Sequence, residues 1–324
     1  MQVYEFDQTN RVLEMLSEYL PLLDHLDLSG TNLPGSGFTV AGFQEQNALP
    51  GWPPDRMLSF LGLWGCPSGA CLREKLPAHR VAGIANEEQL LVALEAYAEH
   101  WFPTRRILRT VCKKVAAGNI TFHSGGLCLE LVLERMQRYP QDHLVQMCGS
   151  QLLYSLLCHL HVENISPLRV RTLVKTLVDS LESFPKDHSI VCSSCLTLCE
   201  VCTYSQLIFV IERLLKVLLQ IADDPPERDD EPPVIEEQFE ELLGEQLNAQ
   251  LMALKLIHVI IGQLSLPDKF IFGDIGGMNL AFSVLYQRLE DDADRDDEIV
   301  DICWSAGGSF PLRPPLKTTT AICL

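Results

Sequence analysis

A short leucine spacing occurs twice near the start of the chain and restricts what the first eighty residues can become. Leu23-x-x-Leu26-x-Leu28 runs into Ser29-Gly30-Thr31-Asn32-Leu33, and 35 residues later Leu58-x-x-Leu61-x-Leu63 runs on to Cys66. Leucines so spaced point inward from a short strand, and a small polar residue at the following turn satisfies backbone groups there. Neither copy buries its apolar face alone, so each needs a stacked neighbour. The Gly/Pro-rich stretch from Pro34 to Pro54 reads as an insertion between them.

This is the spacing of a leucine-rich repeat, with Cys66 in the slot that takes asparagine or cysteine. About three or more units are needed for a stable solenoid, so two copies are expected to be the end of an array whose beginning is absent. From Val81 onward the texture becomes helical. Asn86 is a helix cap with Gln89 as its capping-box partner, predicting a helix to about Trp101. Further helices are predicted over roughly 103–117, 124–138, 140–161, 166–184, 188–203, 205–222, 246–265, 275–290 and 296–306. In the helix from Ser205, the narrow polar stripe Glu212, Lys216, Gln220 predicts packing on several sides. The segment from Val145 through Cys148 to Cys158 overlays that from Ser189 through Cys192 to Cys202 at an offset of 44 residues. That offset lies within the armadillo and HEAT range. Looser echoes fall at Leu251–Val259 and Ile299–Ala306. The expected fold is therefore mostly α: an armadillo-like α-solenoid preceded by the last units of a leucine-rich repeat array. The repeat remnant is placed at 1–80, the helical repeats at 81–306, and a divergent unstructured tail at 307–324.

Composition narrows the function classes. At 324 residues with 47% hydrophobic and 21% charged residues, the chain has ample material for a large core. Acids outnumber bases 43 to 25, for a net charge of -18, which disfavours nucleic acid and anionic membrane surfaces as partners. The run Leu207–Ile221 is broken by Glu212, Arg213 and Lys216, so no membrane span is expected, and the first thirty residues do not read as a secretory leader. Most of the 12 cysteines sit in apolar runs, as Cys112, Cys128, Cys148 and Cys158 do, which suits a reducing compartment. A cytoplasmic location is expected, with the nucleus also open. The sequons at Asn119 and Asn164 then carry no weight. The acidic, proline-rich stretch over 222–238 reads as a solvated insertion, with contact to a basic partner as the alternative.

No constellation of residues points to catalysis. The nucleophile elbow, the phosphate loop and the His-Glu-x-x-His pattern are all missing, and the glycines at Gly35–Gly37 and Gly273–Gly277 lack a strand-to-helix context. Carboxylates near Glu290–Glu298 read as a solvated face. Cys192-x2-Cys195-x3-Cys199-x2-Cys202 suggests zinc on spacing alone. On one continuous helix, however, that stripe runs about 15 Å. It cannot wrap four thiolates about an ion only ~2.3 Å from each. Core packing is the preferred reading, with a metal or redox site as the alternative. Cys66 and Cys71 with His79 lack a matching second pair, and His159 and His161 beside Cys158 read as helix-end contacts. No catalytic residue, metal ligand or cofactor is therefore assigned.

The order of a leucine-rich end, a joint and helical repeats narrows the field further. Val81-Ala-Gly-Ile-Ala-Asn86-Glu-Glu-Gln89 resembles the phrase that opens the helical half of the Zer-one / Zyg-eleven family. Cys195-Leu-Thr-Leu-Cys199, the Leu207–Leu219 helix and Cys303-Trp304-Ser305-Ala306 follow in matching order, closer to the Zer-one branch. Leu58-Ser-Phe-Leu61-Gly-Leu63 resembles the family's last leucine-rich unit, so the resemblance spans about residues 20–306.

The resemblance implies a substrate receptor of a cullin-two ubiquitin ligase, joined to it through elongins B and C and performing no chemistry itself. It further implies that the armadillo-like repeats bind proteins exposing an N-terminal glycine. The family's elongin-docking box is not found in this sequence. Its pocket motif, Trp-Asn-x-Thr-Asp, does not follow Ala306, where Gly307-Gly-Ser-Phe-Pro and a tail of different composition stand instead. Substrate-binding residues are therefore left unassigned. An array ending there is expected to expose apolar surface around Ile299–Trp304. The rival expectation is a protein-interaction scaffold without ligase coupling.

Overall fold

The computed structural model describes residues 9–35, 49–67, 69–118, 125–160, 165–201, 210–227 and 248–264, with isolated positions at 269, 274, 276 and 277. The protein is mostly helical and divides into two compact units, Met1–Leu160 and His161–Leu324.

In the first unit the two leucine spacings become adjacent parallel strands, β1 (His25–Asp27) and β2 (Leu58–Gly62). Leu26, Leu28, Leu58, Leu61 and Leu63 enter one core with Leu33, Leu49, Trp52 and Cys71. Full burial of each leucine contributes roughly 1.5–3 kcal/mol. Gly30 and Gly65 follow the two strands at equivalent places with φ of 77° and 69°, a left-handed turn that favours glycine. Cys66 donates through Sγ to the Leu28 carbonyl at 3.1 Å, bridging the turns after the two strands.

Two elements of this unit were not expected. Helix α1 (Thr9–Tyr19) covers the core with Leu13, and Arg56 holds its end by donating to the carbonyls of Ser17 at 2.7 Å and Leu20 at 2.6 Å. A third parallel strand, β3 (Ala78–Ala82), extends the sheet on the β2 side in the order β1-β2-β3. Its register sets Ala78 beside Leu58 and Val81 beside Leu61, so small residues stand where leucine spacing would have announced a strand. The change of texture expected at residues 80 and 81 thus falls inside β3.

Helix α2 (Glu87–Ala96) packs on β3, and the joint phrase builds that corner. Asn86 caps the helix by accepting from the Gln89 backbone N–H at 2.9 Å. The Gln89 side chain reaches one residue further back than a capping box requires. Its Oε1 accepts from Ala85 N–H at 3.2 Å, while Nε2 donates to the Cys71 carbonyl at 3.0 Å. The helix predicted to reach Trp101 ends at Ala96 instead. Tyr97 leaves helical geometry, and a new helix, α3 (Trp101–Ala116), begins after His100. Helices α4 (Gly125–Arg138) and α5 (His143–Leu157) complete the unit as a hairpin, with α5 also packing on α3. Gln146, buried at their junction, donates to the carbonyls of Met136 at 2.9 Å and Tyr139 at 3.0 Å.

The second unit contains α6 (Pro167–Ser183), α7 (His188–Val201), α8 (Ile211–Asp223) and α9 (Ala249–Gln263). Helix α6 packs on α7 and α8, and α9 packs on the same two. Arg213 of α8 grips α6, its Nε 2.9 Å from Glu182 and its Nη2 2.7 Å from Asp179.

Two interhelical joints share one local geometry, at an offset one residue longer than that of the cysteine overlay. Tyr139-Pro-Gln-Asp142-His143 joins α4 to α5, and Phe184-Pro-Lys-Asp187-His188 joins α6 to α7, an offset of 45 rather than 44. In both, the aspartate N–H donates back to the aromatic residue's carbonyl at 3.1 Å. Each aspartate also caps the next helix, Asp142 accepting from Val145 N–H at 3.1 Å and Asp187 from Ile190 N–H at 2.7 Å. The cysteine overlay misses this frame because packing, which tolerates exchange of small apolar residues, places the cysteines, whereas capping places the aspartates.

Cys202, residues 205–209, the acidic stretch from 228, the predicted 296–306 helix with Cys303–Ala306, and the 307–324 tail lie outside the described residues. So does the predicted 275–290 helix, apart from positions 276 and 277.

Candidate functional site

The exposed face of the sheet in the first unit forms a groove of about 470 Å³. Strand pleating turns the paired Leu26 and Leu61 to the core and their immediate neighbours in each strand to the other face. The register then sets His25, Phe60 and Arg80 side by side across three strands. His25 stacks on Phe60, ring centroids 4.2 Å apart and 15° from parallel. Arg80 pairs with Glu95 of α2 at 2.6 Å on the open side, and Ser59, Tyr97 and His100 complete the lining.

The next rung, Asp27, Gly62 and Ala82, is tied to the end of α2. The Tyr97 hydroxyl donates to Asp27 Oδ1 at 2.9 Å, and Ser29 Oγ lies 2.6 Å from it. With the Tyr97 proton committed to the carboxylate, Ser29 is the donor in the second bond. The Ser29 backbone N–H adds a third bond, to Asp27 Oδ1 at 2.9 Å. A side chain at Gly62 would collide with Asp27 and with the Tyr97 hydroxyl, so glycine there lets the tyrosine cross the sheet. Burial raises the Tyr97 phenol above its ordinary value, with Asp27 adding to the rise. Burial likewise pushes the Cys66 thiol up to about 12. Both groups stay protonated at neutral pH. Hydrogen bonds from Ser59 hold the Asp24 carboxyl below the usual carboxylate range. The groove therefore offers cationic, anionic and aromatic groups, most of them already engaged with one another.

Of the cysteines singled out by spacing, those among the described residues are distributed as packing groups. Cys192 and Cys195 lie fully buried on the continuous helix α7, and Cys199 is half-buried on it with its thiol pushed up to about 11 by burial. Cys71 belongs to the sheet core, Cys66 is bonded to Leu28, and His79 is exposed on β3. His159 Nδ1 donates to the Ser155 carbonyl at 2.8 Å, a helix-end contact, and His161 lies outside the described residues. Among the described residues, no three His, Cys, Asp or Glu side chains are grouped to hold a metal ion. Nor is any described helix long and apolar enough to cross a membrane. The groove itself escaped sequence reasoning because its residues come from three strands, which only their register brings together.

Residues 134–306, over half of the chain, match the family model described as the protein zer-1 homolog-like C-terminal domain. The chain belongs to the zer-1 family. It is 27% identical over 318 residues to protein zer-1 homolog of Drosophila melanogaster, covering 93% of this chain and 37% of that protein. Against the Mus musculus zer-1 homolog it is 26% identical over 324 residues, covering 94% of this chain and again 37% of the relative. Zyg eleven-related protein 1 of Caenorhabditis elegans is 29% identical over 240 residues, covering 68% and 26% respectively. The chain thus spans little more than a third of the curated zer-1 homologs it matches. No solved structure matches it.

Proposed function

We propose that this zer-1 family chain is a non-catalytic substrate-recognition subunit of a cullin-two ubiquitin ligase, selecting proteins that expose an N-terminal glycine. The observation that carries the reading is the family match over residues 134–306. The fold supports it. Parallel strands with inward leucines fit the leucine-rich part of this reading, and the two Asp-capped hairpins fit its armadillo-like part. Stacked repeats of this kind present extended surfaces suited to gripping another protein. Selecting glycine requires carboxylate and carbonyl acceptors for a free ammonium, in a pocket too tight for a larger side chain. A cytoplasmic location, and elongins B and C as the link to cullin-two, belong to the same proposal.

Co-purification tests the ligase coupling. The tagged chain, shown to be folded by circular dichroism, is expected to recover elongins B and C and cullin-two from a cell extract. Recovery of none of them would favour a protein-interaction scaffold without ligase coupling.

A further inference from the structure

Helix α3 carries a second surface that the sheet groove and the helix packing leave unused. Its inner side, Ile107, Leu108, Val111 and Cys112, is buried, and the helix packs on α2 and α5. Its outer side opens with Trp101 and Phe102, which are 54% and 47% exposed, and continues through Arg105, Arg106 and Arg109. Over 16 residues the helix holds five cations and no carboxylate, in a chain whose net charge is -18. Arg105 and Arg109, and then Arg109 and Lys113, stand four residues apart, where like charges destabilise a helix. The helix gains nothing from this pattern by itself.

Two of the arginines are held in place. Arg105 lies 5.5 Å from the Trp101 ring centre and 3.3 Å from Asp142, and Arg106 lies 5.7 Å from the Phe102 ring centre. Cation–π contact orients each guanidinium without neutralising it. Among the described residues, no carboxylate pairs with Arg106 or Arg109. Between these side chains and Leu144 of α5 lies a groove of about 370 Å³, lined by Phe102, Arg105, Arg106, Arg109 and Leu144.

We propose that this groove docks an acidic peptide segment of another protein. Its carboxylates pair with the guanidinium forks, which match carboxylate geometry, and one apolar side chain packs on Phe102 and Leu144. The charge pattern selects a short anion over a long one. The cationic strip ends with α3, and the net acidity of the chain repels a polyanion that extends past it. This docking does not depend on recognition of N-terminal glycine, and a blocked peptide keeps the two apart.

The test is fluorescence polarisation on the full chain with an N-acetylated peptide of alternating Glu and Asp containing one Phe and one Leu. Controls are the same peptide with Gln and Asn in place of the acids, and a single-stranded oligonucleotide of equal charge. The acidic peptide is expected to bind saturably, about tenfold or more tighter than the neutral one, and to weaken as salt rises. Arg106→Glu with Arg109→Glu is expected to weaken it by about tenfold or more. Arg109→Gln, a milder change at an exposed position, is expected to weaken it about threefold, which separates charge loss from misfolding. No saturable binding, equal binding of the neutral peptide, unchanged affinity in both variants, or tighter binding of the oligonucleotide would each overturn the assignment.

Discussion

At the scale of single residues, Tyr97 couples helix to sheet. Its hydroxyl bridges Asp27 and Ser29 across Gly62. Tyr97→Phe removes the bridge without opening a cavity and is expected to cost about 1.5–3 kcal/mol, the net worth of a bond to a charged acceptor. The shift of the urea midpoint at constant slope measures it. Gly62→Ala is expected to cost more, because the new methyl displaces both partners. The pH dependence of this unit follows from the same burial. Cys66 and Tyr97 both have folded values raised above their ordinary ones. The Cys66 contribution is complete below the ordinary thiol value of 9.0 and is lost as pH rises toward about 12, while that of Tyr97 is complete below the ordinary phenol value of 10.0 and falls away above it. Chemical unfolding at a series of pH values is expected to show falling stability above pH 9, with a shallower fall in Cys66→Ala.

At the scale of elements, capping phrases explain more than propensity does. Asp142 and Asp187 hold corresponding places in two hairpins 45 residues apart. Replacing either with alanine is expected to cost about 1 kcal/mol. Asp142→Ala is expected to cost more than the cap alone, since it also frees Arg105 at 3.3 Å. Gln146→Leu, which removes the buried donor to the Met136 carbonyl and one of two donors to the Tyr139 carbonyl, is expected to cost about 1–3 kcal/mol, again read from urea unfolding. These elements also mark what the sequence made legible. The two leucine spacings and the Asn86 cap announced themselves because each rests on a local rule. Strand β3 did not, because Ala78 sits where Leu58 has leucine and only pairing with β2 makes the segment a strand. Trp101 looked like a helix end and proved a helix start, since Tyr97 turns out of the helix to reach the sheet.

At the scale of the whole molecule, family membership was readable from the order of its parts, and the joint phrase Val81–Gln89 carried much of that signal. In the structure the phrase is a corner: the end of β3, the Asn86 cap, and a glutamine tying Cys71 to Ala85. A corner fixed by several hydrogen bonds tolerates little change, which is a physical reason for so specific a sequence. The sheet groove was not legible, because His25, Phe60 and Arg80 are separated in the chain by 35 and 20 residues and meet only through register. The α3 arginines were visible as sequence, but that Arg106 and Arg109 have no carboxylate partner among the described residues, while Arg105 lies 3.3 Å from Asp142, is a fact of packing.

The central claim is recognition of an N-terminal glycine. The most direct measurement is fluorescence polarisation of a labelled peptide beginning with free glycine, beside its N-acetylated form and a version beginning with leucine, on folded chain. The account predicts saturable binding of the glycine peptide, weakened about tenfold or more by acetylation and by leucine. Equal binding of all three peptides, or binding of none by protein with an intact helical spectrum, would contradict it.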